Sequence, residues 1–373
     1  MKYMKNRYLV MALFLFLGTW LGCASTGNYK EKELTPEEEQ ALESYLSGHA
    51  SEFNIPIVIN EQVESFIRYF QTVHRPHFVR WLARSERYIP MMQEILKEND
   101  LPTDLVYMAM IESGFNTKAY SKARAVGPWQ FIKGTGSRYG LQVNWWTDER
   151  RDPIKSTHAA AQYLKELYDM FNSWLLAAAG YNAGENKIKR AILKHNTEDF
   201  WQMARFRYLR PETRQYIPKL IAAALIAKNP EKYGFDDIQY EGLFEYDTVT
   251  VTEPTDLRTV AQSLDVSYEE IHTLNPELLR WCTPPDVLEY TLRIPKGKKD
   301  AFHEQYAQLK PKGKMIFHTH KIRHGDTLYK IARLYKTGVQ PILDTNRLKS
   351  GKYLKPGQHL IIPVKAHEVS EEG

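Results

Sequence analysis

The chain has 373 residues, 43% hydrophobic and 25% charged, a globular composition with length for two or three domains. The formal charge is +5, of which Lys2, Lys5 and Arg7 supply three, and residues 1–22 hold no acid, leaving about +2 (5 − 3) on the remainder. So weak a field, with no base-reading motif, excludes nucleic acid as a partner. With two cysteines, no Cys/His cluster at ligand spacing and no Asp-rich loop, neither a disulfide scaffold nor a metal site is expected, and nothing calls for a cofactor.

Residues 1–8 are basic and 9–21 form an apolar run shorter than the ~20 residues of a spanning helix, so residues 1–22 read as a signal peptide. The run ends in Leu21-Gly22-Cys23-Ala24-Ser25, which resembles a bacterial lipobox. That resemblance implies lipidation of Cys23 and a periplasmic protein held to the membrane by a lipid anchor; Ala24 in place of Asp implies the outer membrane. Trp20 stands where such boxes usually carry Leu, and the alternative is an ordinary cleavage site near Cys23. With Cys23 acylated, Cys282 has no partner in the chain and is expected as a buried or semi-buried thiol; otherwise a Cys23–Cys282 disulfide stays open.

Residues 23–59 are expected to hold a polar tether and a first helical stretch. Helical periodicity covers 37–75, with Val63, Phe66, Ile67 and Phe70 on one face, and 76–99, with Phe78, Trp81, Leu82 and Ile89 inward. Residues 101–114 read as the next helix, capped by Thr103 and closed by Gly114. Leu105, Met108, Ala109 and Glu112 then share one face, three apolar and the fourth a carboxylate. A carboxylate there is costly unless it is partnered, neutral or in use. Desolvation and the negative end of the helix dipole both raise its pKa, as a general acid near neutral pH requires. The plainer alternative is a Glu that turns to solvent or binds an Arg.

Residues 114–156 are irregular and rich in Gly and aromatics, and 156–171, 173–179, 185–194 and 211–228 are helical until Asn229-Pro230 stops the last. No strand pattern precedes residue 240, so 60–230 are expected to form an all-α globule. Asp148, Glu149 and Asp152, among Arg150 and Arg151, read as a solvated or salt-bridged loop.

An internal repeat follows. Leu328, Ile331, Ala332, Tyr335, Ile342 and Asn346 match Leu257, Val260, Ala261, Leu264, Ile271 and Asn275 at one offset. Ile362-Pro363 matches Ile294-Pro295 at a shorter one, which places a small insertion in the first copy at Trp281-Cys282-Thr283-Pro284-Pro285. Each copy reads strand, helix, helix, strand, at 244–297 and 316–364. Asp326 is expected to cap the first helix of the second copy, and Ser267 with Glu270 to make a capping box in the first.

The second copy, with Gly325-Asp326-Thr327-Leu328, Asn346, Leu354-Lys355-Pro356-Gly357-Gln358 and Leu360-Ile361-Ile362-Pro363, resembles a LysM module. The resemblance implies binding of N-acetylglucosamine-containing chains between residues 324–328 and about 346–353, with Gly325, Asp326, Thr327, Leu328 and Asn346 as glycan-binding residues. The first copy has Pro254-Thr255-Asp256 instead and is similar to a degenerate LysM unit, a spacer rather than a sugar binder.

In the helical region, four blocks occur in order: Glu112-Ser113-Gly114-Phe115, Gly127-Pro128-Trp129-Gln130, Tyr181-Asn182-Ala183-Gly184, and Glu212-Thr213-Arg214-Gln215-Tyr216. Together they resemble the lytic transglycosylases. The fold so implied is mainly α, a lysozyme-like catalytic domain over 60–230 followed by small βααβ modules. By the same resemblance the substrate is the peptidoglycan strand. Glu112 gives a proton to the oxygen between N-acetylmuramic acid and N-acetylglucosamine, then takes one from the 6-hydroxyl as a 1,6-anhydro ring closes. Ser113, Gln130, Tyr181 and Asn182 are implied to line the substrate, and Tyr216 to hold the rotamer of Glu112. Phe115, Trp129 and Phe131 are expected as stacking surface, with core as the alternative for Phe115. The alternatives are a hydrolytic muramidase, with one of the 148–152 acids as base, and a non-catalytic wall-binding lipoprotein.

Overall fold

The structure, a computed structural model, describes residues 53–284, 287–309, 315–346, 348 and 354–365; the expected signal peptide, Cys23 and the tether lie outside the described residues. The helical region is built around a short central helix. Helix α1 spans Glu61–Gln71 and α2 spans Arg75–Glu98; a 3-10 turn, Thr103–Leu105, then leads into α3, Val106–Ser113. Every residue of α3 from Val106 to Ile111 is buried, so this helix is apolar all round rather than on one stripe, as befits the centre of a globule. Thr103 does not cap it. The Thr103 hydroxyl accepts from the Asn54 side chain (2.8 Å), and Asp104 accepts from Asn54 N (2.8 Å) and pairs with Lys228 (2.7 Å). Tertiary bonds fix the entry of α3 instead.

After the short α4, Lys133–Arg138, come α5, Pro153–Phe171; α6, Trp174–Ala183; α7, Glu185–His195; α8, Phe200–Ala204; and α9, Pro211–Lys228. Asp152 caps α5, accepting from Ile154 N and Lys155 N, with Pro153 at the first helical position. Ser173 caps α6. Helix α9 packs on α1, α3 and α6, and its Ala222, Ala223 and Ala224, all buried, permit the close approach. One apolar core runs through all of this, from Ile55 to Phe235.

Two small units follow, each with its own core. In the first, β1 (Tyr246–Val251) pairs antiparallel with β2 (Tyr290–Pro295) around α10 (Leu257–Ser263) and α11 (Tyr268–Leu274). In the second, β3 (Met315–Lys321) pairs with β4 (His359–Lys365) around α13 (Leu328–Leu334) and α14 (Val339–Asn346). Between them lies α12, Lys299–Leu309, unforeseen in the sequence, which packs on α10 and β1. The matched asparagines do the same work in each copy. Asn275 Nδ2 donates to the carbonyls of Ile271 and Arg293 and its Oδ1 accepts from Arg293 N. Asn346 treats Ile342 and Ile361 identically, at 2.8, 2.6 and 2.7 Å. Asp326 is not the cap of α13: Thr327 is, and Asp326 instead accepts from Arg323 N and bonds His320. Ser267 does cap α11, accepting from Glu270 N.

Replacing Asn346 by Ala removes all three bonds and leaves buried backbone groups of Ile361 unsatisfied. It is expected to destabilise the last unit by about 1–3 kcal/mol, read as a lowered midpoint in urea unfolding.

Candidate active site

Helix α3 ends where Gly114 turns left-handed (φ +60°). A Cβ there would meet the Trp81 ring at 1.9 Å, so the turn accepts only glycine. Arg84 donates to the freed Gly114 carbonyl at 3.0 Å. Glu112 thus stands in the last turn of an enclosed helix and is itself half-buried. Tyr216, one turn into α9 and 6% exposed, donates its hydroxyl to Glu112 Oε1 at 2.8 Å. Lys219, one turn further on the same face, donates to the Ile111 carbonyl at 3.1 Å. Burial raises the Glu112 carboxyl to about 7; the Tyr216 bond and Lys219 act against the rise, and Glu212 adds to it. Burial in turn lowers Lys219. On the far side of this lysine, burial and then His77, Lys219 and Arg80 bring His74 down to about 3, so His74 stays neutral.

The loop opposite is 124–131. Gly127 (φ +82°) carries the Arg150 carbonyl oxygen 1.7 Å from where a Cβ would stand. Gln130 is held at φ +50°, a left-handed position for a non-glycine residue, and its side chain donates to the Gly127 carbonyl at 2.9 Å. Ser113 Oγ bonds the Pro128 carbonyl at 2.9 Å and accepts from Asn116 N at 3.1 Å. Tyr181 donates to the Trp129 carbonyl at 2.8 Å, and Asn182 accepts from Thr213 at 2.9 Å. These polar side chains therefore tie the Gln130 loop to α3 and α6, and α6 to α9.

Two aromatic expectations are corrected, and for Phe115 the core alternative holds. Phe115, Trp129 and Phe131 are at most 2% exposed, and Trp129 donates its indole N–H to Thr157 at 2.9 Å; they are core, not a stacking surface. For the 148–152 acids the salt-bridged alternative holds, not the solvated one. Asp148 is clamped by Arg150 at 2.7 and 2.9 Å, Asp152 caps α5 and pairs with Arg293, and Glu149 pairs with Lys155 at 2.6 Å. In the last unit Gly325 and Thr327 are exposed, but Leu328 is core and Asn346 is the backbone clamp described above, so these two are structural. Lys219 and Arg84 were missed in the sequence, and Trp81 was read only as an inward residue of its helix. Glu212, Tyr216 and Lys219 lie at i, i+4 and i+7, and that spacing would have found the lysine. No metal-binding group of three or more His, Cys, Asp or Glu occurs among the described residues.

Three family profiles match this chain: the Transglycosylase SLT domain over residues 90–204, the lytic transglycosylase MltD LysM-like domain over 245–311, and the LysM domain over 320–363. The chain is 30% identical over 319 residues to the membrane-bound lytic murein transglycosylase D of Escherichia coli K12, covering 82% of this chain and 68% of that protein. Among solved structures, the lytic transglycosylase Slt of Pseudomonas aeruginosa, an inactive mutant, aligns at 22% identity over 41% of this chain and 25% of its own, with a TM-score of 0.33. The 70 kDa soluble lytic transglycosylase of Escherichia coli aligns at 17% over 55% of this chain and 33% of its own, with a TM-score of 0.36. This chain thus spans a quarter to a third of those two.

The raised carboxyl has a stability consequence. The native state keeps the Glu112 proton up to about pH 7, while the unfolded chain releases it near the ordinary 4.5. Stability from this group is whole below the lower value and is lost as pH rises through the higher one. Glu112→Gln, which cannot ionise, is expected to gain on the wild type across that window, by an amount of order 2 kcal/mol at pH 8 and none at pH 4. Paired denaturant titrations at the two pH values check it.

Proposed function

We infer the activity from kinship and chemistry together: the chain belongs to the family of membrane-bound lytic murein transglycosylase D, and it cuts the β-1,4 bond between N-acetylmuramic acid and N-acetylglucosamine, leaving 1,6-anhydro ends. The observation that carries this reading is the half-buried, proton-retaining Glu112 on its Tyr216 hydrogen bond. The protonated carboxyl gives its hydrogen to the glycosidic oxygen as that bond breaks. The resulting carboxylate receives the hydrogen of the sugar's own 6-hydroxyl, whose oxygen closes on the anomeric carbon. No water is consumed. Acid–base help of this kind contributes roughly 10²–10⁴-fold.

Two-carboxylate hydrolysis needs a second acid free to activate water. The rival acids are engaged elsewhere: Asp148 with Arg150, Glu149 with Lys155, Asp152 with Arg293. This supports ring closure over hydrolysis. Tyr216 positions the acid. Lys219 offsets the negative charge that Glu112 carries between its two proton transfers. Gln130 is read as a substrate contact, on a loop that its own bond to the Gly127 carbonyl stiffens, while Ser113, Tyr181 and Asn182 set the loop and helix that frame the sugar.

The last module is read as a wall anchor, gripping N-acetylglucosamine-containing strands at Gly325, Asp326 and Thr327. A lipid on Cys23 is read as a second anchor, in the outer membrane. Its support is the basic-apolar leader and the lipobox resemblance; among the described residues no helix is long and apolar enough to cross a membrane.

Digestion of purified peptidoglycan, read by mass spectrometry, tests the reaction. Wild type is expected to give fragments one water lighter than hydrolysis would, and Glu112→Gln to lose activity at least a hundredfold; hydrated reducing ends would overturn the reading. Lys219→Met removes a cation that favours ionised Glu112. It is therefore expected to move the alkaline limb of kcat to higher pH, with Lys219→Arg staying near wild type.

A further inference from the structure

In a LysM unit the sugar groove lies between the loop after the first strand and the loop before the last. In the first unit these two loops are sewn together. Leu257 N donates to the Trp281 carbonyl (2.9 Å) and Thr283 N to the Thr255 carbonyl (3.0 Å). Thr255 N donates to Thr283 Oγ1 (2.9 Å), and Asp256 and Cys282 form a β-bridge. From α12, Tyr306 bonds the Thr255 hydroxyl at 3.2 Å. The insertion that begins at Trp281 therefore occupies the place a glycan would take. Its outer side meets the last unit: the Trp281 indole donates to the Thr345 carbonyl at 2.8 Å, and Trp281, Cys282, Trp146 and Ile361 form one apolar cluster.

The stretch just before the insertion is bonded into the helical region. Thr147 and Leu278 form a β-bridge, Asp148 N donates to the Glu277 carbonyl (2.9 Å) and Leu279 N to the Trp146 carbonyl (2.8 Å). Beneath them Arg293 reaches Asp152 at 2.5 Å and Glu277 at 3.5 Å, with Tyr290 donating to Glu277 at 2.9 Å. Asp152 is wholly buried and Glu277 4% exposed. A buried ion cluster of this kind is costly to break by removing one partner. From the same segment, Arg150 donates to the carbonyls of Arg124 (3.1 Å) and Phe131 (3.0 Å) while its own carbonyl presses on Gly127. Residues 144–152 are thus bonded on one side to the Gln130 loop and on the other to the first unit.

We propose that the first LysM-like unit is a brace rather than a sugar-binding module: through Arg293 and residues 144–152 it fixes the loop that presents Gln130, and its filled groove carries the last module. This goes beyond the assignment of the reaction and rests on it only where activity is read.

Hydrogen exchange on the full chain tests the proposal with Arg293→Met and the milder Arg293→Lys, which keeps the charge. Both are expected to speed exchange in 124–131, about tenfold or more for Met and a few-fold for Lys, and kcat on peptidoglycan is expected to fall in the same order. Should Met not fold, Lys decides alone. Wild-type exchange at 124–131 in a variant whose 277–293 segment has loosened overturns the brace. A third measurement adds an oligomer of N-acetylglucosamine to wild type. Protection is expected in the last module and the Glu112 region; protection of 254–257 or 281–283 overturns the loss of sugar binding. Failure of the reaction reading would show separately, as wild type yielding no anhydro ends, and would leave the exchange result standing.

Discussion

The hydrogen bond from Tyr216 to Glu112 sits on a boundary between two demands. A carboxyl keeps its proton near neutrality only where water is scarce, and meets a polysaccharide only where the protein is open. Helix α3 satisfies the first demand by being buried on all sides up to Ile111. Its left-handed stop at Gly114, pressed against Trp81, satisfies the second by ending the helix two residues beyond the enclosed stretch. Tyr216 and Lys219 then set orientation and charge from a single face of α9. Each of these groups favours the ionised form, so the net rise of Glu112 is a balance in which burial outweighs them.

Much of this was legible in the sequence, for reasons that differ by element. The odd carboxylate in an apolar helix, the Gly after it and the four blocks in order point to the acid and its tyrosine, because a carboxylate among apolar residues needs a partner or a task. The repeat was legible because its asparagines clamp the same backbone groups in both copies. Asn346 thus carries a structural task that its place in the LysM resemblance did not reveal. Trp129 and Phe131 did mislead, since an aromatic beside a motif can serve sugar or core, and only burial separates the two.

What sequence could not supply was pairing across distance. Asp152 and Arg293 are 141 positions apart yet bonded, and nothing local in either marks the partner. The charged run at 148–152 looks like surface because five ionisable residues in a row usually are. Here the buried ones are partnered, Asp148 by Arg150 within the run and Asp152 by Arg293 from another segment, which is the condition under which buried charge is tolerated. The α12 helix escaped notice because its pattern is short and largely polar, and packing on α10 rather than intrinsic periodicity defines it.

Cys282 lies wholly buried where the insertion, Trp146 and Ile361 meet. Burial, with Asp256 nearby, pushes its thiol up to about 12, far from the thiolate that alkylating and oxidising reagents attack. Its chemistry is consequently gated by separation of the pieces around it. The rate at which a maleimide reaches this sulfur is a clock for how often catalytic and wall-gripping parts come apart, and it is already installed in the natural chain.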